Sequence, residues 1–557
     1  MGKALMRGGF HVFGVNDYPS LIRGGHNFYV LRASDERVHS QANAVDMLLA
    51  LNKETILIHE GEMTEGGAII YDEQTELGEG EQKRGDVGLF PVPLSSIVEE
   101  LGGVSIMRNT VALGAATALV DFDVEILKGV ITETFAGRED IAELNRKAVN
   151  MGFIYAKEQY GDSFPCRLES AGETRDRIMP TGNDAVALGA IEAGCRMYAA
   201  YPMTPASPIL HYLAAHDLEI EMVVIQAENE IAALNMVVGA SYAGLRAMTA
   251  TSGGGFCLMT EALGLAAMTE TPIVLMVGQR PGPSTGMATY SAQGDLLFAI
   301  HASQGEFPRV VVAPGDIDEC FYRTMEAFNL AEKYQIPTII ITDKYLIESH
   351  KSTEPFEAGR KGIDRGDLLI IDEWGMDEEY KRYKINESGV SPRILLGTRG
   401  ATVLANSNEH LEYGYTTTEP DIVVAMMEKR FRKREALGRE IETLQPVKTF
   451  GAENADITLV GWGSTKGPIL EALKMLRING TEARYVQVAY LEPFPVKAME
   501  EALEGDGKFL LVENNRTAQL GSLIKLNNGF TFEHILLRYD GRPFNPGEIY
   551  AKVKEVL

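Results

Sequence analysis

The octapeptide Tyr201-Pro202-Met203-Thr204-Pro205-Ala206-Ser207-Pro208 separates the apolar run Met197-Tyr198-Ala199-Ala200 from Ile209-Leu210-His211-Tyr212-Leu213. Its three prolines fix φ and remove backbone donors, so the chain must turn here instead of continuing as strand, and helix resumes afterwards. A strand ending in a rigid, hydroxyl-bearing loop that opens a helix is where an α/β sheet keeps its ligands. Thr204 and Ser207 then face a cleft. A stiff connection with no ligand is the other reading, and the octapeptide alone does not separate the two.

Working outward, the same rhythm repeats. Gly182-Asn183-Asp184 caps a helix over 185–194, and a strand over 196–200 leads into the proline loop. Strands are expected at 222–225, 246–250, 273–277, 309–312 and 337–342. Helices fall at 231–241, 256–268 and 317–334, and 251–255 reads as a glycine loop. Strands alternating with helices predict a doubly wound parallel sheet covered on both faces.

Before this region, 10–13, 28–31, 55–58 and 68–71 read as strands and 43–51 as a helix. A polar loop covers 73–85, and the chain is mostly helical from 109 to a break near 161–165. The opening, Met1 to Gly8, reads as the tail of a helix, so the first strand and glycine turn of an α/β domain are expected to be missing here, or the start codon assigned late. After 351 the rhythm is lost to about 450, where a mixed-charge helix at 428–435 is expected to be a solvated face. It returns in strands near 456–460, 483–488 and 509–512. The expected domains are 1–165, 176–350, a connecting segment 351–450, and 451–557.

With 557 residues the chain exceeds a single core, and 45% hydrophobic residues suit a multidomain globular α/β protein. A net charge of −26 argues against binding nucleic acid or an anionic membrane surface. The first residues form no secretory pattern and no apolar run is long enough to span a bilayer, so a cytoplasmic location is expected. Cys166, Cys195, Cys257 and Cys320 are scattered, which excludes a self-contained iron–sulfur or zinc ribbon site and favours four buried thiols.

Loops at 201–208, 226–230, 251–255 and 280–289 all leave strand ends of the second domain. They bring Thr204, Glu230, Thr251, Ser252, Gly253, Arg280 and Thr289 to one sheet edge. Arg280 suits a carboxylate. Glu230 either favours its helix start or faces the cleft and shares a proton with a heterocycle nitrogen. Gly461-Trp462-Gly463-Ser464-Thr465-Lys466-Gly467 has one residue too many for a dinucleotide fingerprint, and the next strand, 483–488, lacks the closing acid. Gly505-Asp506-Gly507 follows a helix and reads as a helix stop.

The residues at 201–207 resemble the Tyr-Pro-Ile-Thr-Pro-Ser-Ser signature of 2-oxoacid:ferredoxin oxidoreductases, and 280–289 resembles that family's Arg-Gly-Gly-Pro-Ser-Thr-Gly-Leu-Pro-Thr. Tyr18-Pro19-Ser20-Leu21-Ile22-Arg23-Gly24-Gly25-His26-Asn27 is similar to the family's γ module, and Val512-Glu513-Asn514-Asn515 to a motif of its transketolase-C-like domain. The resemblance implies a fused γα subunit: a γ-type domain, a thiamine diphosphate pyrimidine-type domain and a transketolase-C-like domain. It further implies oxidative decarboxylation of a 2-oxoacid, 2-oxoglutarate favoured or specificity broad, with coenzyme A and ferredoxin. Thiamine diphosphate would be shared with a β subunit carrying Mg2+ and a [4Fe-4S] cluster, in an αβ or (αβ)2 assembly. Carried over by position, Thr204, Arg280 and Thr289 hold the oxoacid, and Glu230, with Glu228 two positions earlier as the alternative, bonds the aminopyrimidine N1′ beside Thr251, Ser252 and Gly253. This chain lacks the family's Gly-x-Gly-Gly-x-Gly start, and Ser303-Gln304-Gly305-Glu306 stands where Gly-His-Gly-Glu is common. Two alternatives stay open: a non-catalytic assembly subunit, and a nucleotide-dependent dehydrogenase using 461–467.

Overall fold

The computed structural model describes residues 1–21, 24–78, 84–161, 163–168, 176–375, 379–505 and 507–557. Two compact units emerge, one of residues 1–14, 24–179 and 351–355, the other of 15–23, 180–350 and 356–557.

In the first unit, Met63–Asp72 is the central strand of a parallel sheet, flanked by Val45–Ala50 and Gly88–Val92. Its helices Arg108–Leu119 and Glu139–Tyr160 pack closely through glycines: a methyl group at Gly114 would lie 2.0 Å from the Val149 carbonyl oxygen, and one at Gly152 2.2 Å from that of Val111. Two sequence expectations are reversed here. Residues 43–51 hold the strand Val45–Ala50, and 55–58 lie in the helix Lys53–His59. The Asn52 side chain accepts from the Thr55 N–H and starts that helix, while the short apolar run before it pairs with Met63–Asp72.

The second unit is built on a seven-stranded sheet. Its parallel strands are β1 (Met197–Ala200), β2 (Val223–Gln226), β3 (Ala247–Thr251), β4 (Ile273–Gln279), β5 (Val310–Val312) and β6 (Pro337–Asp343), in the spatial order β2-β1-β3-β4-β6-β5. The helices are α1 (Gly182–Glu192), α2 (Ser207–His216), α3 (Glu230–Tyr242), α4 (Gly253–Met268), α5 (Leu296–His301) and α6 (Ile317–Tyr334). Thr181, one residue ahead of the expected cap, starts α1 in a capping box with Asp184. The order reverses between β1 and β3, which opens a crevice at their carboxyl ends. The expected glycine loop at 251–255 is shorter than anticipated: β3 runs to Thr251, Ser252 is the cap position, and the glycines form the first turn of α4.

Downstream, α7 (Pro420–Thr443) is solvated on one side of the charged run only, where Glu428, Arg432, Arg434 and Glu435 are exposed. Lys429 and Lys433 are fully buried and bind Glu270 in the turn between α4 and β4, Lys429 Nζ at 2.5 Å from Oε1. A second sheet has the order β7-β9-β8-β11-β12, with β7 (Val447–Gly451), β8 (Ile457–Gly461), β9 (Ala483–Val488), β11 (Lys508–Glu513) and β12 (His534–Leu537). The short β10 (Tyr490–Glu492) leaves β9 and pairs antiparallel with β5, so the two sheets share an edge. Asp506 lies outside the described residues, while its neighbours fall between the helix Val496–Ala502 and β11. Cys195 and Cys320 are buried as expected, whereas Cys166 and Cys257 are exposed. Among the described residues no helix is long and apolar enough to cross a membrane.

Candidate functional site

The site is built from loops at the carboxyl ends of β1 and β3. Asn229, not Glu230, caps α3, its Oδ1 accepting from the Ala232 N–H at 2.9 Å. Glu230 is thereby released from capping. Its side chain is buried, 3% exposed, and Oε1 has no hydrogen-bond partner among the described residues. Leaving a buried polar oxygen unpaired costs about 1–3 kcal/mol, so the position asks for a donor from outside the chain. The reason for the glycine turn is also visible. A methyl group at Gly255 would lie 2.0 Å from Thr251 Oγ1 and 2.7 Å from Glu230 Oε1, so any other residue would push the carboxylate aside.

Met203 carries the proline loop across the crevice, its sulfur 2.6 Å from Ser252 Oγ and 3.8 Å from Thr251 Oγ1. Thr204 is joined to the strap after β4, because Arg280 donates from a guanidinium nitrogen to the Thr204 carbonyl at 3.0 Å. No other hydrogen bond from the Arg280 guanidinium appears among the described residues, and burial lowers its proton affinity. Thr204, Glu230, Thr251, Ser252, Gly253 and Arg280 are thus brought to one crevice.

Thr289 stands farther along the strap with partners the sequence did not reveal. Its hydroxyl donates to the Tyr18 carbonyl at 2.7 Å and lies 2.9 Å from Ser20 Oγ, while its N–H donates to the same hydroxyl at 3.2 Å. The Tyr18 segment is itself fixed, with the Tyr18 hydroxyl donating to Glu348 and Lys344 Nζ donating to the Asn16 carbonyl. Ile22 and Arg23 of that motif lie outside the described residues. The strap then docks on the second sheet: the Gln293 amide donates to the Trp462 carbonyl at 2.8 Å and accepts from the Asn514 N–H at 2.9 Å. Gln293 therefore fills the turn that resembled a dinucleotide loop. Lys466 of that turn is engaged by Asp316 at 2.6 Å and Glu319 at 2.9 Å. Sequence reasoning quoted Ser20 only as part of a motif and missed its contact with Thr289, since nothing in local spacing marks a contact across 269 positions, and it missed Gln293 and Asp295.

Comparison with known proteins shows the family. Residues 188–429 match the family described as pyruvate flavodoxin/ferredoxin oxidoreductase, thiamine diphosphate binding. Residues 1–155 match pyruvate ferredoxin/flavodoxin oxidoreductase, and 455–549 match pyruvate:ferredoxin oxidoreductase core domain II. The 2-oxoacid:ferredoxin oxidoreductase 2 subunit alpha of Aeropyrum pernix is 35% identical over 613 residues, covering 100% of this chain and 94% of its own. The chain belongs to the 2-oxoacid:ferredoxin oxidoreductase alpha-subunit family. A 2-oxoglutarate oxidoreductase subunit KorA of Mycobacterium tuberculosis is 30% identical over 92% of this chain and 82% of its own. A solved 2-oxoglutarate:ferredoxin oxidoreductase of Magnetococcus marinus, with 2-oxoglutarate, coenzyme A and succinyl-CoA bound, superposes with a TM-score of 0.90 at 34% identity, covering 99% of this chain and 95% of that one. As an oxidoreductase alpha subunit, this chain carries its thiamine-diphosphate-binding domain on the sheet that holds Glu230. The residues present fit that cofactor: a buried carboxylate oxygen lacks a donor, and a glycine keeps the space beside it open.

Proposed function

We propose that this alpha subunit, joined to a partner subunit, decarboxylates a 2-oxoacid oxidatively, with 2-oxoglutarate the favoured substrate. Coenzyme A takes the acyl group, CO2 leaves, and two electrons pass to ferredoxin. The observation that carries the reading is Glu230 Oε1, buried and unpartnered beside Gly255 at the β1–β3 crevice. When bound, thiamine diphosphate supplies the carbon nucleophile and the electron sink. Glu230 holds a proton between its Oε1 and the ring nitrogen of the aminopyrimidine. Thr251, Ser252 and Gly253 wall the cofactor. Thr204 and Arg280 hold the oxoacid, with Arg280 offering N–H groups to a carboxylate while its bond to the Thr204 carbonyl keeps the two loops together, and Thr289 serves through the strap it ties to Tyr18 and Ser20. Mg2+ and a [4Fe-4S] cluster are assigned to the partner, in an αβ or (αβ)2 assembly. Preference for 2-oxoglutarate is supported by the substrates named for the Mycobacterium and Magnetococcus relatives.

The test is co-expression with a candidate partner gene and assay of a 2-oxoacid panel with coenzyme A and a low-potential dye. Glu230→Ala is expected to lower kcat by about 100-fold or more. Arg280→Ala is expected to raise the oxoacid KM by at least ~10-fold. Full activity in the first variant, or an unchanged KM in the second, removes the corresponding role.

A further inference from the structure

Asp295 immediately precedes the six-residue α5, yet its side chain does not cap that helix. Its N–H donates to Gln279 Oε1 at 2.9 Å, and the buried Gln279 amide donates to the Thr342 carbonyl at 3.1 Å, so the backbone is tied to β4 and β6. The carboxyl turns instead onto the first residue of α4. A methyl group built at Gly253 would lie 2.3 Å from Asp295 Oδ2 and 2.8 Å from its Cγ. Two residues on, a methyl group at Gly255 would lie 2.0 Å from Thr251 Oγ1 and 2.7 Å from Glu230 Oε1, and between them one at Gly254 would lie 3.8 Å from the Ser284 carbonyl oxygen of the strap. The glycine turn is therefore braced by one carboxyl group at each end.

We propose that Asp295 is a positioning residue for the reaction: by bracing Gly253 it fixes where Gly255 lies against Glu230, and so orients the carboxylate toward the cofactor. This rests on the cofactor-facing role given to Glu230 above. A cap-type residue that forgoes its own helix, on a backbone anchored to two strands, is placed to transmit position through a turn with no side chains to absorb it. Charge adds to shape. Burial pushes the Asp295 carboxyl up to about 6, and ionising it places a negative charge at the positive end of the 16-residue α4. A titratable group on α4 near it is the Cys257 thiol, exposed yet raised first by the partial loss of water around its sulfur and second by Asp295. Other charged side chains on the loops and helices around the crevice are Glu230 on α3, the exposed Glu228 just before it, and Arg280 in the strap.

The experiment uses the assembled alpha and partner subunits. Thiamine diphosphate affinity is followed by near-ultraviolet circular dichroism, and kcat/KM is profiled across the neutral and mildly acid range. D295A is expected to weaken cofactor affinity and lower kcat by ~10-fold each, with the oxoacid KM changed less. D295N, which keeps the size and loses the charge, is expected to recover much of the cofactor affinity and to flatten the acid limb centred near pH 6. Wild-type affinity in D295A together with a wild-type pH profile in D295N overturns the inference. The parallel E230A variant separates the two ideas. If E230A is inactive and the Asp295 variants are silent, only the positioning role fails; if E230A is fully active, the role of Glu230 fails, and this inference with it.

Discussion

At the scale of single residues, the site depends on what is missing as much as on what is present. Gly255 has no side chain because Thr251 Oγ1 and Glu230 occupy the space where one would sit. Gly255→Ala, a change that ordinarily strengthens a helix, is therefore expected to act in reverse here. Its methyl group must displace the carboxylate, since 2.7 Å is well inside van der Waals contact. The assembled variant should keep its far-ultraviolet circular dichroism and lose thiamine diphosphate affinity by at least ~10-fold. Unchanged affinity would show that Glu230 does not face the cofactor. Glu230 was legible in the sequence as a carboxylate at a helix start. That it is not a cap became clear only when Asn229 was seen to do that work. Asp295 was not legible, because an acid before a short helix reads as a cap.

Between elements, the clearest departure from sequence expectation is α7. Its charged run was read as solvated because a one-dimensional pattern cannot show that Glu270 waits in a turn 159 residues away. Three cations, Lys429, Lys433 and Arg382, surround this one carboxylate. Burial works against its ionisation, yet these neighbours hold it well below the usual carboxylate range. Glu270→Gln leaves the cations buried without a counter-charge and is expected to cost about 3–5 kcal/mol, seen as an earlier unfolding transition. The pH signs differ for the two partners. Glu270, with its folded value depressed, contributes stability that is present above its ordinary value of 4.5 and lost as pH falls below it. Lys429, pushed by burial from 10.5 down to about 7, adds stability as pH climbs through that interval, because the unfolded chain still binds the proton that the fold has released. Lys429→Met should therefore reduce the alkaline rise, part of which stays with Lys433, lowered by burial in the same way, and spare the acid loss; an undiminished rise would place the titration elsewhere. In the first unit, the exchange of strand and helix around Asn52 has a similar cause: short apolar runs fit either period, and pairing with Met63–Asp72 decides.

For the whole molecule, the alternation of strands and helices and the motifs at 201–207 and 280–289 were sufficient to read the doubly wound sheet and the family. They could not show that residues 16–20 join the second unit or that Val512 to Asn515 hold the strap, since both depend on contacts made across the full length of the chain. One surface remains to be explained. Beside Glu230, helix α3 exposes Ile231 at 51% and also Met236, and α4 exposes Leu258 at 50%. Apolar side chains of this size beside the candidate crevice suit a surface that another subunit covers. If the proposed partner completes the site here, Ile231→Asp must bury an unpaired charge on assembly, while in the isolated chain it only adds a charge facing water. The variant should therefore unfold as the wild type does when purified alone, yet fail to co-purify with the partner subunit and show no 2-oxoacid activity in its presence. Normal co-purification would move the interface to another face, because no rearrangement of one exposed side chain could hide a buried aspartate at its centre.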